Sequence, residues 1–145
     1  MRIIVTGSRG WNNRERIADR LFDLPVDSII VHGNAPGVDR LTEQEAPKLG
    51  LITEPHPAEW NKHAEVDDPV PCWCPPEKKV CKLAGFRRNE KMARLGADLC
   101  LAFWDGRSRG TVDMMEAAAR HGIPIEVQHK DFPNRQTSPR FDTVS

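Results

Sequence analysis

The sequence has no excess of either charge: 21 Lys and Arg face 21 Asp and Glu over 145 residues, for a formal net charge of zero. Duplex binding rewards clustered cations that neutralise phosphates, so nucleic acid is not the expected partner. No apolar run approaches the roughly 18 residues that a membrane span needs. Met1-Arg2-Ile3-Ile4-Val5 meets Gly7 too early for a signal peptide. An intracellular, cytoplasmic protein with no membrane partner is expected. The chain also lacks any internal repeat of solenoid period. With 39% hydrophobic and 29% charged residues, what remains is a globular composition, and its length suits one domain around one core.

Hydrophobic runs alternate with helical stretches from the first residue, the pattern of a parallel sheet covered by helices. Arg2-Ile3-Ile4-Val5-Thr6 reads as a strand ended by Gly7. Asn12-x-x-Glu15 resembles a capping box, and Ile17, Leu21 and Phe22 are read as one helical face before Pro25. Ser28 to His32 is a second strand. Leu41, Glu45, Ala46 and Leu49 belong to a second helix closing at Gly50, its last turn weakened by Pro47. A weaker third strand begins at Leu51. Six of the twelve prolines then fall between Pro55 and Pro76, in a stretch with neither helical nor strand period, which reads as an irregular insertion over about 61–84. Regularity returns with a basic helix from Phe86 to Leu95. The most apolar strand, Asp98 to Trp104, is expected at the centre of the sheet. A helix from Thr111 to His121 and a strand from Ile123 to Val127 complete a domain over 1–129. Residues 130–145 are polar and aperiodic, the pattern of a flexible tail.

In such a sheet the crevice lies beyond the carboxyl ends of the strands, where the winding reverses. Three unusual loops fall there. In Thr6-Gly7-Ser8-Arg9-Gly10-Trp11 the glycines permit a tight turn, and Ser8 and Arg9 can donate to an anion. This is not G-x-G-x-x-G and has no Walker lysine, so a plain strand-to-helix turn remains an equal reading. In the loop from His32 through Gly33 and Gly37 to Asp39, Asp39 is either a helix cap or an acceptor from a sugar hydroxyl, and His32 is either structural or catalytic. The third loop, Asp105-Gly106-Arg107-Ser108-Arg109-Gly110-Thr111, brings Gly110 and Thr111 to a helix start. Free amides and the helix dipole favour a phosphate there, against the alternative of a solvated turn.

Five segments together, Thr6-Gly7-Ser8-Arg9, His32-Gly33 with Gly37 and Asp39, Pro57-Ala58-x-Trp60, Gly85 with Arg88-Asn89 and Met92, and Gly110-Thr111-x-Asp113-Met114, resemble the YspA-like branch of the SLOG superfamily from Met1 to about Val127. The resemblance implies a single Rossmann-like α/β domain, three layers around a mainly parallel sheet of about five strands. In it the first and fourth strand ends meet, and their glycine loops share a pocket for a nucleotide or nucleotide-derived molecule. It makes Arg88 and Asn89 the ligand-binding candidates at the start of the basic helix, where a cation without an anion is unfavourable. The related Lonely Guy phosphoribohydrolases carry Pro-Gly-Gly-x-Gly-Thr-x-x-Glu and use that glutamate on an N-glycosidic bond. This chain has Met114 in its place, and a thioether neither exchanges a proton nor stabilises an oxocarbenium-like centre. Asp113 and Glu116 remain as candidate catalytic substitutes. Binding for signalling or sequestration is therefore the leading expectation, N-glycosidic hydrolysis or transfer the alternative, and single-stranded nucleic-acid handling, as in the distant DprA relatives, the third. The relatives' assembly through helices leaves a homo-oligomer open. Trp11 and Trp60 are either base-stacking or partly core.

Cys72, Cys74 and Cys81 lie in the insertion with His63 upstream. In a reducing compartment clustered thiols point to metal before disulfide. Three thiolates and one imidazole make a closed tetrahedral zinc site that holds a structureless loop, although C-x-C is not the usual knuckle spacing and unligated thiols are the competing reading. No redox cofactor is expected. Cys100, within an apolar strand, is core.

Overall fold

The computed structural model describes residues 1–75, 77–129 and 140–141. Five parallel strands, β1 (Arg2–Gly7), β2 (Ile29–His32), β3 (Ile52–Pro55), β4 (Leu99–Trp104) and β5 (Ile125–His129), stand in the order β3-β2-β1-β4-β5. A two-residue strand, β6 (Arg140–Phe141), pairs antiparallel with β5. The rest of the expected tail lies outside the described residues. Four helices, α1 (Arg14–Phe22), α2 (Val38–Glu45), α3 (Ala84–Arg94) and α4 (Arg109–Arg120), connect them. The Rossmann-like α/β expectation holds, and the apolar Leu99–Trp104 strand is central, between β1 and β5.

Side chains alternate across a pleated strand, so one strand feeds two cores. Ile3, Val5, Leu101 and Phe103 face one layer with Ile17, Leu21 and Val38 of α1 and α2. Ile4, Cys100 and Ala102 face the other with Met92 of α3 and Met114 and Met115 of α4. That division gives the three layers. Burial pushes the Cys100 thiol up to about 12, as expected of a core cysteine.

Several boundaries differ from expectation for local reasons. Asn13, not Asn12, caps α1, its side chain accepting from the Arg16 amide at 3.1 Å. Phe22 is 73% exposed rather than core, because it stands 100° around the helix from the fully buried Leu21. Pro47 lacks the N–H that would continue α2, so the chain tightens into a 3-10 turn, Pro47–Leu49, and leaves it through Gly50 at φ 77°. α3 begins two residues early, at Ala84, and α4 begins at Arg109 behind the cap Ser108.

One ion pair spans the β1 side of the sheet. Arg2 donates to both oxygens of Glu54 on β3 at 2.9 Å each, across the intervening β2, and His56 shares Glu54 Oε2 at 2.7 Å. These partners, Arg2 first, bring the Glu54 carboxyl down to about 2 from an ordinary 4.5. A depressed carboxyl stabilises the fold fully above its unfolded value and loses that contribution as pH falls from 4.5 towards 2. Because the pair is partly exposed, the effect is held to about 1 kcal/mol. Urea unfolding should show Glu54→Gln less stable than the parent at pH 7, with the difference vanishing near pH 2.

Candidate functional site

The carboxyl ends of β1 and β4 lie side by side, in register from Ile3↔Leu99 to Gly7↔Phe103. Past them the chain turns to opposite faces, and a cavity of about 760 Å³ opens between the loops. Gly7 and Arg9 line it from the first loop, Gly33 and Asp39 from the second, Arg88 and Asn89 from α3, and Gly110 and Thr111 from the last. Eight of the ten expected ligand-binding residues therefore meet at one wall-to-wall site.

Ser8 and His32 do not line it. Ser8 is fully buried; its amide donates to the Phe103 carbonyl at 3.1 Å and its hydroxyl accepts from the Asp105 amide at 3.0 Å. It ties the first loop to the third instead of facing a ligand. His32, also fully buried, accepts the Asn34 amide on Nδ1 at 3.0 Å, which puts the proton on Nε2, 3.1 Å from Glu43 Oε1. Trp11 is core, edge-to-face on Phe103 with ring centroids 5.5 Å apart. Trp60, by contrast, is 44% exposed and lines the cavity.

Charge is concentrated here. Among the described residues Arg9, Arg40, Lys82, Arg88, Arg107 and Arg109 line the cavity against two carboxylates, Asp39 and Asp105. The individual residues of the loops read as turns, and only their convergence from three loops and a helix makes a basic pocket. The amino ends of α3 and α4 add their dipoles; α3 starts behind Leu83 with no side-chain cap, whereas at α4 Ser108 Oγ accepts from the Thr111 amide at 3.5 Å. Arg88 is held tightly: Nη1 donates to the Gly33 carbonyl at 2.6 Å and Nε to Asn89 Oδ1 at 2.8 Å. Burial lowers the pKa of its guanidinium, and Asp39 opposes that shift.

Asp39 is 6% exposed, and its Oδ2 accepts the amides of Gly33 at 3.1 Å and Ala35 at 3.2 Å. Its other oxygen, Oδ1, is buried with no hydrogen-bond partner among the described residues. A buried acceptor without a donor costs about 1–3 kcal/mol, more when charged. Burial accordingly raises this carboxyl above its ordinary range, with His32 and the two amides pulling the other way.

The candidate catalytic acids stand apart from the cavity wall. Asp113 accepts from Asn89 Nδ2 at 3.0 Å, one hydrogen bond behind the lining, and burial raises its carboxyl. Glu116 is exposed on α4. Met114 is fully buried in the core.

Beside the cavity, His63, Cys72, Cys74 and Cys81 gather their ligand atoms within 4.8 Å of one another, a group that could hold a metal. Cys74 and Cys81 sulfurs are 3.8 Å apart, and Cys72 Sγ lies 3.7 Å from His63 Nδ1. A tetrahedron with metal–sulfur bonds of about 2.3 Å has edges of about 3.8 Å. His63 Nε2 donates to the Lys78 carbonyl at 2.7 Å, leaving Nδ1 to face the sulfurs. Arg87 donates to Cys81 Sγ and the Ala64 amide to Cys72 Sγ, both at 3.3 Å. At Cys81 burial favours the thiol, yet Arg87 and the other donors outweigh it and bring the group down to about 6.

Gly33 and Gly37 are glycine for different reasons. A Cβ on Gly33 would meet the Arg88 guanidinium, which would have to leave its bond to the Gly33 carbonyl. A Cβ on Gly37 would meet the backbone carbonyls of Ser8 and Arg9, at a φ of 90°. Gly37→Ala should therefore lower unfolding free energy by more than about 2 kcal/mol. Gly33→Ala should cost about 1–3 kcal/mol in urea titrations, because it displaces the Arg88 guanidinium from the Gly33 carbonyl, and should shift the Arg88 Nε–H resonance.

The profile of the YspA, cpYpsA-related SLOG family matches residues 1–63. The chain is also 35% identical to the Gene 61 protein of Mycobacterium phage D29 over 133 residues, covering 86% of this chain and 93% of the relative. No solved structure matches significantly. Among the described residues no helix is long and apolar enough to cross a membrane.

Proposed function

Because the chain belongs to the YspA, cpYpsA-related SLOG family, in which nucleotide-related binding or processing is the general theme, we propose that its cavity binds a nucleotide or nucleotide-derived small molecule for signalling or sequestration. One observation carries this reading: Asp39, whose buried Oδ1 has no donor among the described residues, lines the cavity together with six cations. A bare anion would answer the arginines and leave Asp39 unpaired, or repel it. A molecule with both phosphate and ribose hydroxyls answers both. In this reading Arg9 and the Gly110-Thr111 helix start take phosphate, Asp39 accepts a sugar hydroxyl, and Arg88 holds Asn89 to read the sugar or base beside Trp60. Gly7 keeps the first loop close to the phosphate. The Asp113 and Glu116 positions outside the lining favour binding over N-glycosidic cleavage.

The same reading gives the cysteine cluster a structural zinc. Three thiolates and a neutral imidazole suit zinc, the hydrogen bonds to sulfur and to His63 Nε2 form its outer shell, and four protein ligands close the coordination with no open position for chemistry.

Isothermal titration with the four ribonucleoside 5′-monophosphates and with inorganic phosphate tests the cavity. Asp39→Asn should weaken the preferred mononucleotide about tenfold, equivalent to about 1.4 kcal/mol, without weakening inorganic phosphate. Arg9→Ala should weaken both, by about 1.5–3 kcal/mol. Nucleotide affinity unchanged in both variants would count decisively against the proposal.

A further inference from the structure

Between Pro55 at the end of β3 and Ala84 at the start of α3 the described residues form no helix or strand. Among the described residues of 61–82 only Cys81 is buried. The large apolar side chains of the segment face solvent: Val66, Trp73 and Val80 are 107%, 84% and 57% exposed. Hydrophobic burial therefore does not compensate the roughly 1–2 kcal/mol per residue that ordering this backbone costs. What does converge in the segment is the set of four ligand atoms of His63, Cys72, Cys74 and Cys81. Metal binding by a site that the unfolded segment does not possess is itself folding free energy.

The cluster is joined to the cavity by three short connections. The Cys81 amide donates to the Trp60 carbonyl at 2.6 Å, and Trp60 lines the cavity, its ring standing against Gly85 on the first turn of α3. Lys82, the residue after the ligand Cys81, is another lining cation. Arg87 bridges Cys81 Sγ and the Lys62 carbonyl, at 3.3 and 2.6 Å, one residue before Arg88. Besides these few hydrogen bonds and the Trp60–Gly85 contact, the four-ligand cluster is the cross-link that ties the described residues of the 61–82 segment to the start of α3.

We infer that one zinc ion, held by His63 Nδ1 and the sulfurs of Cys72, Cys74 and Cys81, builds the Trp60–Lys82 wall of the cavity, so that metal loading sets the affinity for the nucleotide. The inference rests on the nucleotide reading above and adds to it a metal-dependent switch on the same site. The ligands lie outside the glycine loops, so the phosphate side of the pocket keeps its form when the metal leaves, and the loss falls on the side lined by Trp60 and Lys82.

The test uses the full chain, stripped with a chelator and then reloaded with zinc. Reloading should restore one zinc per chain by native mass spectrometry, and cobalt in its place should give the sulfur-to-metal charge-transfer and visible bands of a tetrahedral thiolate site. Trypsin should cut at Lys62, Lys78, Lys79 and Lys82 much faster in the stripped form. The preferred ribonucleoside 5′-monophosphate should bind at least tenfold more weakly to the stripped form and to Cys74→Ser, whose half-buried position leaves the core intact. Failure to take up stoichiometric metal overturns the inference. So does equal nucleotide affinity in stripped and reloaded protein. If neither form binds any mononucleotide, the nucleotide reading and the coupling both fall, and the proteolysis pattern still reports whether zinc orders the wall.

Discussion

The whole arrangement depends on β1 and β4 being parallel neighbours whose exits turn to opposite faces of the sheet. Two central strands with Gly7 level with Phe103 bring loops nearly a hundred residues apart in the chain to the same edge. A buried serine then locks them: Ser8 bonds to Phe103 on one side and to Asp105 on the other. Neutral hydrogen bonds of this kind are each worth only about 1 kcal/mol. They matter here because they fix the separation of the two loops, and the cavity is the space that this separation leaves.

Electrostatics follows from that geometry. A chain with no net charge carries a strongly basic pocket, because folding brings cations together from four separate segments and sends most of the carboxylates elsewhere. Glu54 is occupied by Arg2 and His56, Glu126 by Arg20, and Glu90 by Arg120 and His121. These three glutamates are thus engaged away from the pocket. Asp39 and Asp105 are the carboxylates that stay at the pocket, and the half-satisfied Asp39 carboxylate is the feature on which the proposed preference for a hydroxyl-bearing anion rests.

Much of this was legible in the chain itself. The alternation of apolar runs with amphipathic stretches gave the α/β class, because a strand buried on both faces has to be apolar throughout, as in Leu99–Trp104. The glycine loops were legible too, since Gly37 occupies backbone space closed to any other residue. Ser8 and His32 misled because a polar residue at a strand end reads alike whether it faces a ligand or a neighbouring loop. Phe22 misled because it stands 100° around α1 from the buried Leu21, and Asp113 because one hydrogen bond, to Asn89, separates a cavity wall from what lies behind it. Arg107 and Arg109 had a local signal in flanking the third loop's glycines, whereas Arg40 and Lys82 had none, each being an ordinary surface cation by itself.

The sequence alone determined the layered fold, the positions of the flexible turns, the family and which four residues were candidates for a metal, because periodicity, backbone restriction and side-chain chemistry are local properties. Tertiary structure alone decided which of those residues face a common space. It gathered the ligand atoms of His63, Cys72, Cys74 and Cys81 within 4.8 Å of one another, left Asp39 Oδ1 without a donor among the described residues, and turned a neutral chain into one with a basic pocket. Each of these depends on the distance between atoms far apart along the chain, which is fixed only when the sheet has formed and the helices have closed over it.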